Sequence, residues 1–155
     1  MIWKKAHVIK IYEALSAIAD DRVEVFGNEG RCFSPTGEKV WDIKYNPTNN
    51  SINSNDNSAY YTHSLSYPMI AYLMVVRVIP YKAELLDTLQ NISWEDINEN
   101  FKNDYDKSIK FVLGELKREG LDVEEIKKEV KKIYDFTCAL KMKTLGEIQK
   151  PSRKR

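Results

Sequence analysis

The residue types best able to do chemistry are concentrated in one short stretch, residues 59–67, which follows an Asn-rich segment. This stretch is the chain's densest cluster of hydroxyl and imidazole groups. Phenol, imidazole, carboxylate and carboxamide groups can hold a small ligand through directional hydrogen bonds. The candidate ligand-binding residues are Asn55, Asp56, Tyr60, Tyr61, His63 and Tyr67.

The same residues do not form a recognisable catalytic pattern. Ser64 adjoins His63 and Asp56 precedes it by seven residues, but the chain has no G-x-S-x-G elbow to expose a serine nucleophile. Cys32 and Cys138 have neither C-x-x-C spacing nor a surrounding Cys/His cluster, and we expect both to be reduced core thiols. We therefore predict no catalytic set, no metal ion and no cofactor.

A basic ridge on the last helix is the second candidate site. Residues 102–155 carry 15 Lys and Arg against 10 Asp and Glu, whereas residues 1–101 carry 9 against 13. Steps of one, three and four residues place the ridge lysines on one solvent-facing strip that could contact phosphates. Glu124, Glu125 and Glu129 interrupt the strip and can pair with it, so a solvated helix face explains the same pattern. The ridge lysines are Lys127, Lys128, Lys131 and Lys132.

Length and composition are those of one ordinary globular domain. The chain has 155 residues, of which 43% are hydrophobic and 30% charged. We predict a single α+β domain over residues 1–148 and a disordered basic tail over residues 149–155. The longest apolar run is too short and too interrupted to span a bilayer, and the first ten residues do not resemble a signal peptide. We expect a cytoplasmic protein without a membrane partner.

The first part of the chain predicts a helix followed by an antiparallel sheet. Apolar residues recur at helical spacing over residues 4–20, where we expect Glu13 to face solvent. Residues 22–26, 31–34 and 39–45 predict three strands joined by tight turns. Residues 46–58 contain six asparagines and Ile52 as the one apolar residue, and we predict a mobile loop with at most a short fourth strand at Ile52.

The second part predicts four helices packed on one face of the sheet. They occupy residues 68–78, 80–90, 94–119 and 122–140, and the last two should form an antiparallel hairpin. The helix over residues 94–119 is the expected organising element, because seven apolar or aromatic residues follow one another on one face. On that assignment Phe101 and Ile109 should both be fully buried.

These features predict a binding or protein-interaction module without catalytic activity, whose partner is another protein or a second copy of the chain. One alternative is a small-molecule-binding protein or small enzyme with its site in the stretch from Asn55 to Tyr67. A further alternative is nucleic-acid binding through the basic ridge and tail. A long polar loop and a tyrosine cluster support the small-molecule alternative. The nucleic-acid alternative is supported by positive charge alone, because the ridge lacks aromatic residues that could stack on bases.

Overall fold

The computed structural model describes residues 1–151 and has the predicted α+β class. The strands are β1 (Val23–Phe26), β2 (Glu29–Phe33), β3 (Val40–Asn46), β4 (Ser51–Ser54) and β5 (Lys143–Thr144). The helices are α1 (Ile9–Ala19), α2 (Asn57–Thr62), α3 (Tyr67–Val75), α4 (Glu84–Thr88), α5 (Trp94–Asn100), α6 (Tyr105–Arg118) and α7 (Val123–Ala139). Six helices therefore follow β4 within the described residues, where the sequence predicted four.

The strands form one sheet in the order β1-β2-β3-β4-β5. The first four are antiparallel neighbours, and the three predicted strands are confirmed within one or two residues. The prediction of a wholly antiparallel meander of three or four strands is wrong at its far end, because β5 pairs with β4 in parallel. Residues that follow the last helix complete the sheet, and no hydrophobic pattern marks so short a strand.

The predicted mobile loop over residues 46–58 is replaced by ordered structure. Residues Ser51–Ser54 form β4, all four are buried, and Ile52 has no exposed surface. The Asn53 amide nitrogen donates to the carbonyl oxygens of Leu145 (2.8 Å) and Glu147 (2.6 Å). Buried polar groups are tolerated when they are hydrogen-bonded, so a strand almost without apolar residues can occupy the interior.

One face of the sheet is covered by α3, which begins with Pro68 near its N-terminus as predicted. The Tyr72 ring lies so close to Gly30 of β2 that a Cβ atom built there would be 2.6 Å from a ring carbon. Glycine is therefore required at this point of contact between helix and sheet. Helix α1 packs against α3 from the other side, so α3 lies between α1 and the sheet.

The first helix begins later than the sequence indicates. Residues 1–7 lie outside the helix, and the Trp3 and Lys4 amides donate to the carbonyl oxygens of Met142 and His63, both at 2.9 Å. The expectation that Glu13 faces solvent is wrong, because α1 is covered on almost every side and Glu13 is 7% exposed.

The expected organising helix is broken in two. α5 ends before Phe101, α6 begins at Tyr105, and Lys102 and Asn103 have positive φ values of 52° and 63°. A positive φ is incompatible with a continuous right-handed helix. The apolar stripe therefore changes direction at the break, and Phe101 and Ile109 are half-buried where full burial was predicted.

The ends of the chain complete the description. Residues 145–151 have no regular structure, although Ile148 packs against the core. The predicted disordered tail continues into residues 152–155, which lie outside the described residues. Across residues 1–151, each helix is too short or too polar to cross a membrane.

Candidate functional site

A cavity of about 590 Å³ lies between the turn that joins β2 to β3 and the helix α5. Ser34 to Lys39 provide one rim, Glu95, Asp96 and Glu99 provide the other, and α1, α3 and β3 contribute the floor and one wall. The volume is within the range of roughly 300 to 1,000 Å³ that is usual for small-molecule sites. We refer to this space as the α5 cavity.

Aromatic rings from four elements line the α5 cavity. Trp41 of β3 and Tyr67 of α3 meet nearly at a right angle, with ring centroids 5.8 Å apart and planes at 84°. Trp94 lies on the helical side, where its Nε1 donates to Ser16 Oγ (2.9 Å) and its ring packs against Tyr12. Tyr105, the first residue of α6, completes the lining. The aromatic walls are therefore fixed by contacts made behind them.

Two opposite charges lie at the floor of the cavity. Glu13 Oε1 is 3.1 Å from Lys10 Nζ, and Arg22 is close enough to influence the titration of Glu13. Burial raises the pKa of the Glu13 carboxyl, while Lys10, Arg22 and His7 oppose this rise. Arg22 Nη1 donates to the Phe33 carbonyl oxygen (2.9 Å) and to the Tyr67 hydroxyl (3.3 Å). The guanidinium group thereby ties β2 to the first residue of α3.

Three enclosed polar atoms of residues that line this cavity have no hydrogen bond within residues 1–151. Glu13 Oε1 is one of them, although Lys10 Nζ lies 3.1 Å away, and the other two have no ion-pair partner in that range either. These two are Asn98 Oδ1, whose residue is 7% exposed, and Arg22 Nε. An enclosed polar group without a partner costs roughly 1 to 3 kcal/mol, so such a group calls for an explanation such as an ordered water, a bound ion or ligand, or a catalytic role.

Most of the predicted ligand-binding residues have structural roles outside this cavity. Asn55 Oδ1 accepts from the Asp42 amide (2.8 Å), which fixes the end of β3. Asp56 is buried and caps α2, because its Oδ1 accepts from the Ala59 amide (2.9 Å) and its Oδ2 accepts from the Ser66 hydroxyl (2.5 Å). The carboxylate is thus fully used in joining the starts of α2 and α3.

The other four predicted residues do not converge on the α5 cavity as a group. Tyr60 and Tyr61 stack edge to face on α2, and Tyr61 is 72% exposed. His63 ends α2 in the left-handed conformation, and its carbonyl oxygen accepts from Lys4. Of the six candidates, only Tyr67 lines the α5 cavity. The structure therefore does not bring the tyrosine and histidine cluster together as a site.

The four ridge lysines are exposed on α7, and three of them contact acidic side chains. Lys127 Nζ is 3.6 Å from Glu124, Lys131 Nζ is 2.9 Å from Asp135, and Lys132 Nζ is 3.2 Å from Glu129. Lys128 is exposed as well. Pairing at these spacings reduces the positive field that a phosphate backbone would meet.

Sequence reasoning missed Glu13, Arg22, Trp41, Trp94 and Asn98 as a group. These residues come from α1, β3, α5 and a connecting segment, so their proximity depends on packing between distant parts of the chain. One local signal was available for Glu13, because it lies four residues after Ile9 and three before Ser16, both of which have no exposed surface. A polar residue on a helical face that is otherwise buried indicates a buried polar contact.

Comparison with other proteins gives one match. No curated protein and no solved structure matches the chain. One family model matches residues 3–143, which include every residue that lines the α5 cavity. The chain belongs to the family described as "Uncharacterised conserved protein UCP014422".

Proposed function

We propose that this protein binds a small molecule in the α5 cavity and does not transform it. The observation that carries the proposal is the pair of enclosed, unpartnered polar atoms, Asn98 Oδ1 and Arg22 Nε, at a cavity of about 590 Å³. One atom accepts and the other donates, so a ligand with a donor and an acceptor would satisfy both. Small-molecule sites typically combine apolar walls with a few polar groups of this kind.

This proposal keeps the small-molecule alternative from the sequence and moves its site. Tyr67 is the candidate residue that also lines the cavity, and Asn57, from the same stretch, is another lining residue. The first expectation, a protein partner or a second copy of the chain, stays a prediction. The large apolar side chains that are exposed lie on different elements, including Phe26 on β1, Phe111 on α6 and Phe136 on α7.

The chemistry of the lining favours binding over catalysis. Within the described part of the chain, the residues that line the cavity include neither histidine nor cysteine. Burial raises the pKa of the Tyr67 hydroxyl far above neutrality, so this phenol keeps its proton and acts as a hydrogen-bonding group. Cys32, which lies behind it, has a pKa raised to about 12 by burial and is not a thiolate nucleophile at neutral pH.

Protein-observed NMR with a fragment panel tests the proposal. We expect fragments to perturb the side-chain amide signal of Asn98 and the indole signals of Trp41 and Trp94 before they perturb other signals. Asn98→Leu keeps the approximate volume and removes the carboxamide, so it should weaken the polar fragments about tenfold or more. Asn100→Leu is the matched control, since Asn100 is exposed on the same helix and does not line the cavity.

Two outcomes would contradict the proposal. In one, no fragment perturbs the cavity signals, and water alone serves Asn98 and Arg22. In the other, Asn98→Leu and Asn100→Leu change the affinities equally, which would show that the enclosed carboxamide does not contact the ligand.

A further inference from the structure

We infer that the ligand of the α5 cavity carries an organic cation, such as a substituted ammonium group. The inference rests on the proposed function, because it names the chemical class that the same cavity would hold. It draws on two further observations: the right-angled pair of aromatic rings and the charge of the rim.

The rings of Trp41 and Tyr67 form a corner that suits a rounded cation. Their planes meet at 84° with centroids 5.8 Å apart, so a group placed in the corner faces two π surfaces at once. Both residues are half-buried, which leaves part of each ring accessible from the cavity. Trp and Tyr faces attract ammonium groups within about 6 Å, and cages of such rings hold quaternary ammonium ligands. The hydrogen bond from Arg22 to the Tyr67 hydroxyl holds one wall of the corner in place.

The opposite rim of the cavity is negative. Glu95, Asp96 and Glu99 are exposed along α5, and within residues 1–151 none of them has a Lys, Arg or His partner within 4 Å. Glu95 and Asp96 also stabilise the helix N-terminus, but Glu99 lies a full turn later and has no such role. Among residues 1–151, the lining contains five acidic residues and two basic ones. A cleft lined mainly by one sign of charge concentrates ligands of the opposite sign.

An anionic ligand is the competing possibility, because Arg22 Nε is a free donor. The surroundings oppose it. Glu13 lies beside Arg22 at the floor, Arg22 Nη1 already serves Phe33 and Tyr67, and an anion would enter past the negative rim. A cation that also carries a hydroxyl or carbonyl oxygen fits better. It could place the charge in the aromatic corner and present the oxygen to Arg22.

Choline and its uncharged isostere 3,3-dimethylbutan-1-ol test the charge directly, with acetate and phosphate as anionic probes. NMR titration of the whole protein should give choline an affinity roughly tenfold higher than that of the isostere. Trp41→Leu should abolish this preference, and Trp41→Phe, which keeps an aromatic face in the same place, should retain part of it. The second variant distinguishes loss of the ring from loss of the fold.

Charge variants at the rim separate electrostatic attraction from shape. The combined change Glu95→Gln, Asp96→Asn and Glu99→Gln should weaken choline several-fold and leave the isostere unchanged. The matched control changes Glu84, Glu119 and Glu124 to Gln, which alters the net charge equally at exposed positions away from the cavity.

The outcomes distinguish this inference from the proposed function. Equal binding of choline and its isostere, or tighter binding of acetate or phosphate at the cavity, would overturn the cation and leave a small-molecule site. A failure of all four probes and of the fragment panel to perturb the cavity signals would overturn both.

Discussion

The strand β4 is more deeply buried than the broken helical region 94–119, although its composition is more polar. β4 has one apolar residue among four, yet all four residues are buried. The 94–119 region has a stripe of seven apolar or aromatic residues, yet Phe101 and Ile109 are half-buried and residues 102–104 are exposed. The more polar segment is the more enclosed of the two.

The difference shows that hydrogen bonding can decide where a segment lies. In β4 the Ile52 carbonyl oxygen accepts from Trp3 Nε1 (2.9 Å) and from the Leu145 amide (3.0 Å), and Asn53 donates to two further carbonyl oxygens. These bonds offset the cost of removing polar groups from water. At 94–119 the half-buried Phe101 packs against Phe111, which is itself 44% exposed, so this part of the apolar stripe lies at the surface. Whether a segment is buried therefore depends on the hydrogen-bond partners available to its polar groups as well as on its apolar content.

Hydrogen exchange should give the largest contrast between the two regions. β4 pairs with strands on both sides, so its amides should exchange only through global unfolding, which costs at least about 5 kcal/mol in a typical domain. The amides of Lys102, Asn103 and Asp104 bond only within the local turn and should exchange through openings of about 1 kcal/mol or less. Exchange from β4 as fast as from residues 102–104 would mean that the sequence-based prediction of a mobile loop is right.

A matched pair of isoleucine variants should differ in stability. Ile52→Ala removes a side chain with no exposed surface and should cost about 2 to 5 kcal/mol in the free energy of unfolding. Ile109→Ala removes a half-buried side chain and should cost less than half of that, because the site can relax toward solvent. Urea denaturation measures both values. An equal loss at Ile109 would restore the helix as an organising core element.

Asparagine variants test the polar part of the comparison. Asn53→Ala leaves the carbonyl oxygens of Leu145 and Glu147 without their donor and should cost roughly 1 to 3 kcal/mol. Asn100→Ala at an exposed position of α5 should change the stability by about 0.5 kcal/mol or less. A small effect at Asn53 would indicate that strand pairing alone holds β4 in the interior.

The pH dependence of folding stability should show that the Glu13 carboxyl is buried at the floor of the cavity. Burial raises the pKa of its carboxyl in the folded state above the ordinary value of 4.5, so the folded protein holds this proton more tightly than the unfolded chain does. Wild type should therefore gain stability relative to Glu13→Gln as the pH falls toward 4.5, and lose it as the pH rises through the folded-state pKa. Each unit of pKa difference corresponds to about 1.4 kcal/mol. Parallel unfolding curves for the two proteins between pH 7.5 and 5 would mean that Glu13 is well solvated.

A pair of lysine-to-glycine variants should give small changes in folding stability that have opposite signs. Lys102→Gly relieves a positive φ of 52° and should stabilise the fold by up to about 1 kcal/mol. Lys110→Gly, at an exposed position inside α6, should instead destabilise it by about 1 kcal/mol. Destabilisation at both positions would be evidence for a continuous helix over residues 94–119.

The elements with strong local patterns could be predicted from the sequence. Helix α7 and strands β1 to β3 follow from their periodicity and turns, and Pro68 marks the start of α3. For β4 the sequence indicated at most a short strand at Ile52 within a mobile loop. Its burial could not be predicted, because its partners Leu145 and Glu147 lie about ninety residues away and the bonds that bury it are not local. The break at Lys102 escaped prediction because a stripe of apolar residues continues across it.

Of the residues predicted to bind a ligand, Tyr67 is the one that lines the α5 cavity. The other lining groups follow from how α1, α5 and β3 pack together, and single-sequence patterns do not report such packing. Asp56 was predicted as a ligand-binding residue, and in the structure it caps a helix and accepts from the Ser66 hydroxyl. The sequence alone does not distinguish a carboxylate that binds a ligand from one that holds the backbone.

Because residues 1–4 are hydrogen-bonded to residues 142–144, part of the fold can form only late in synthesis. The Trp3 amide bonds to Met142, the Thr144 amide bonds to Met1, and Lys143 pairs with Ser51 of β4. Contacts between residues so far apart in sequence form slowly, because a long loop must close first. On the ribosome, β4 keeps an open edge until the residues after α7 emerge. The closing of this edge should therefore be a late folding step, which cannot begin before residues 142–144 have left the ribosome.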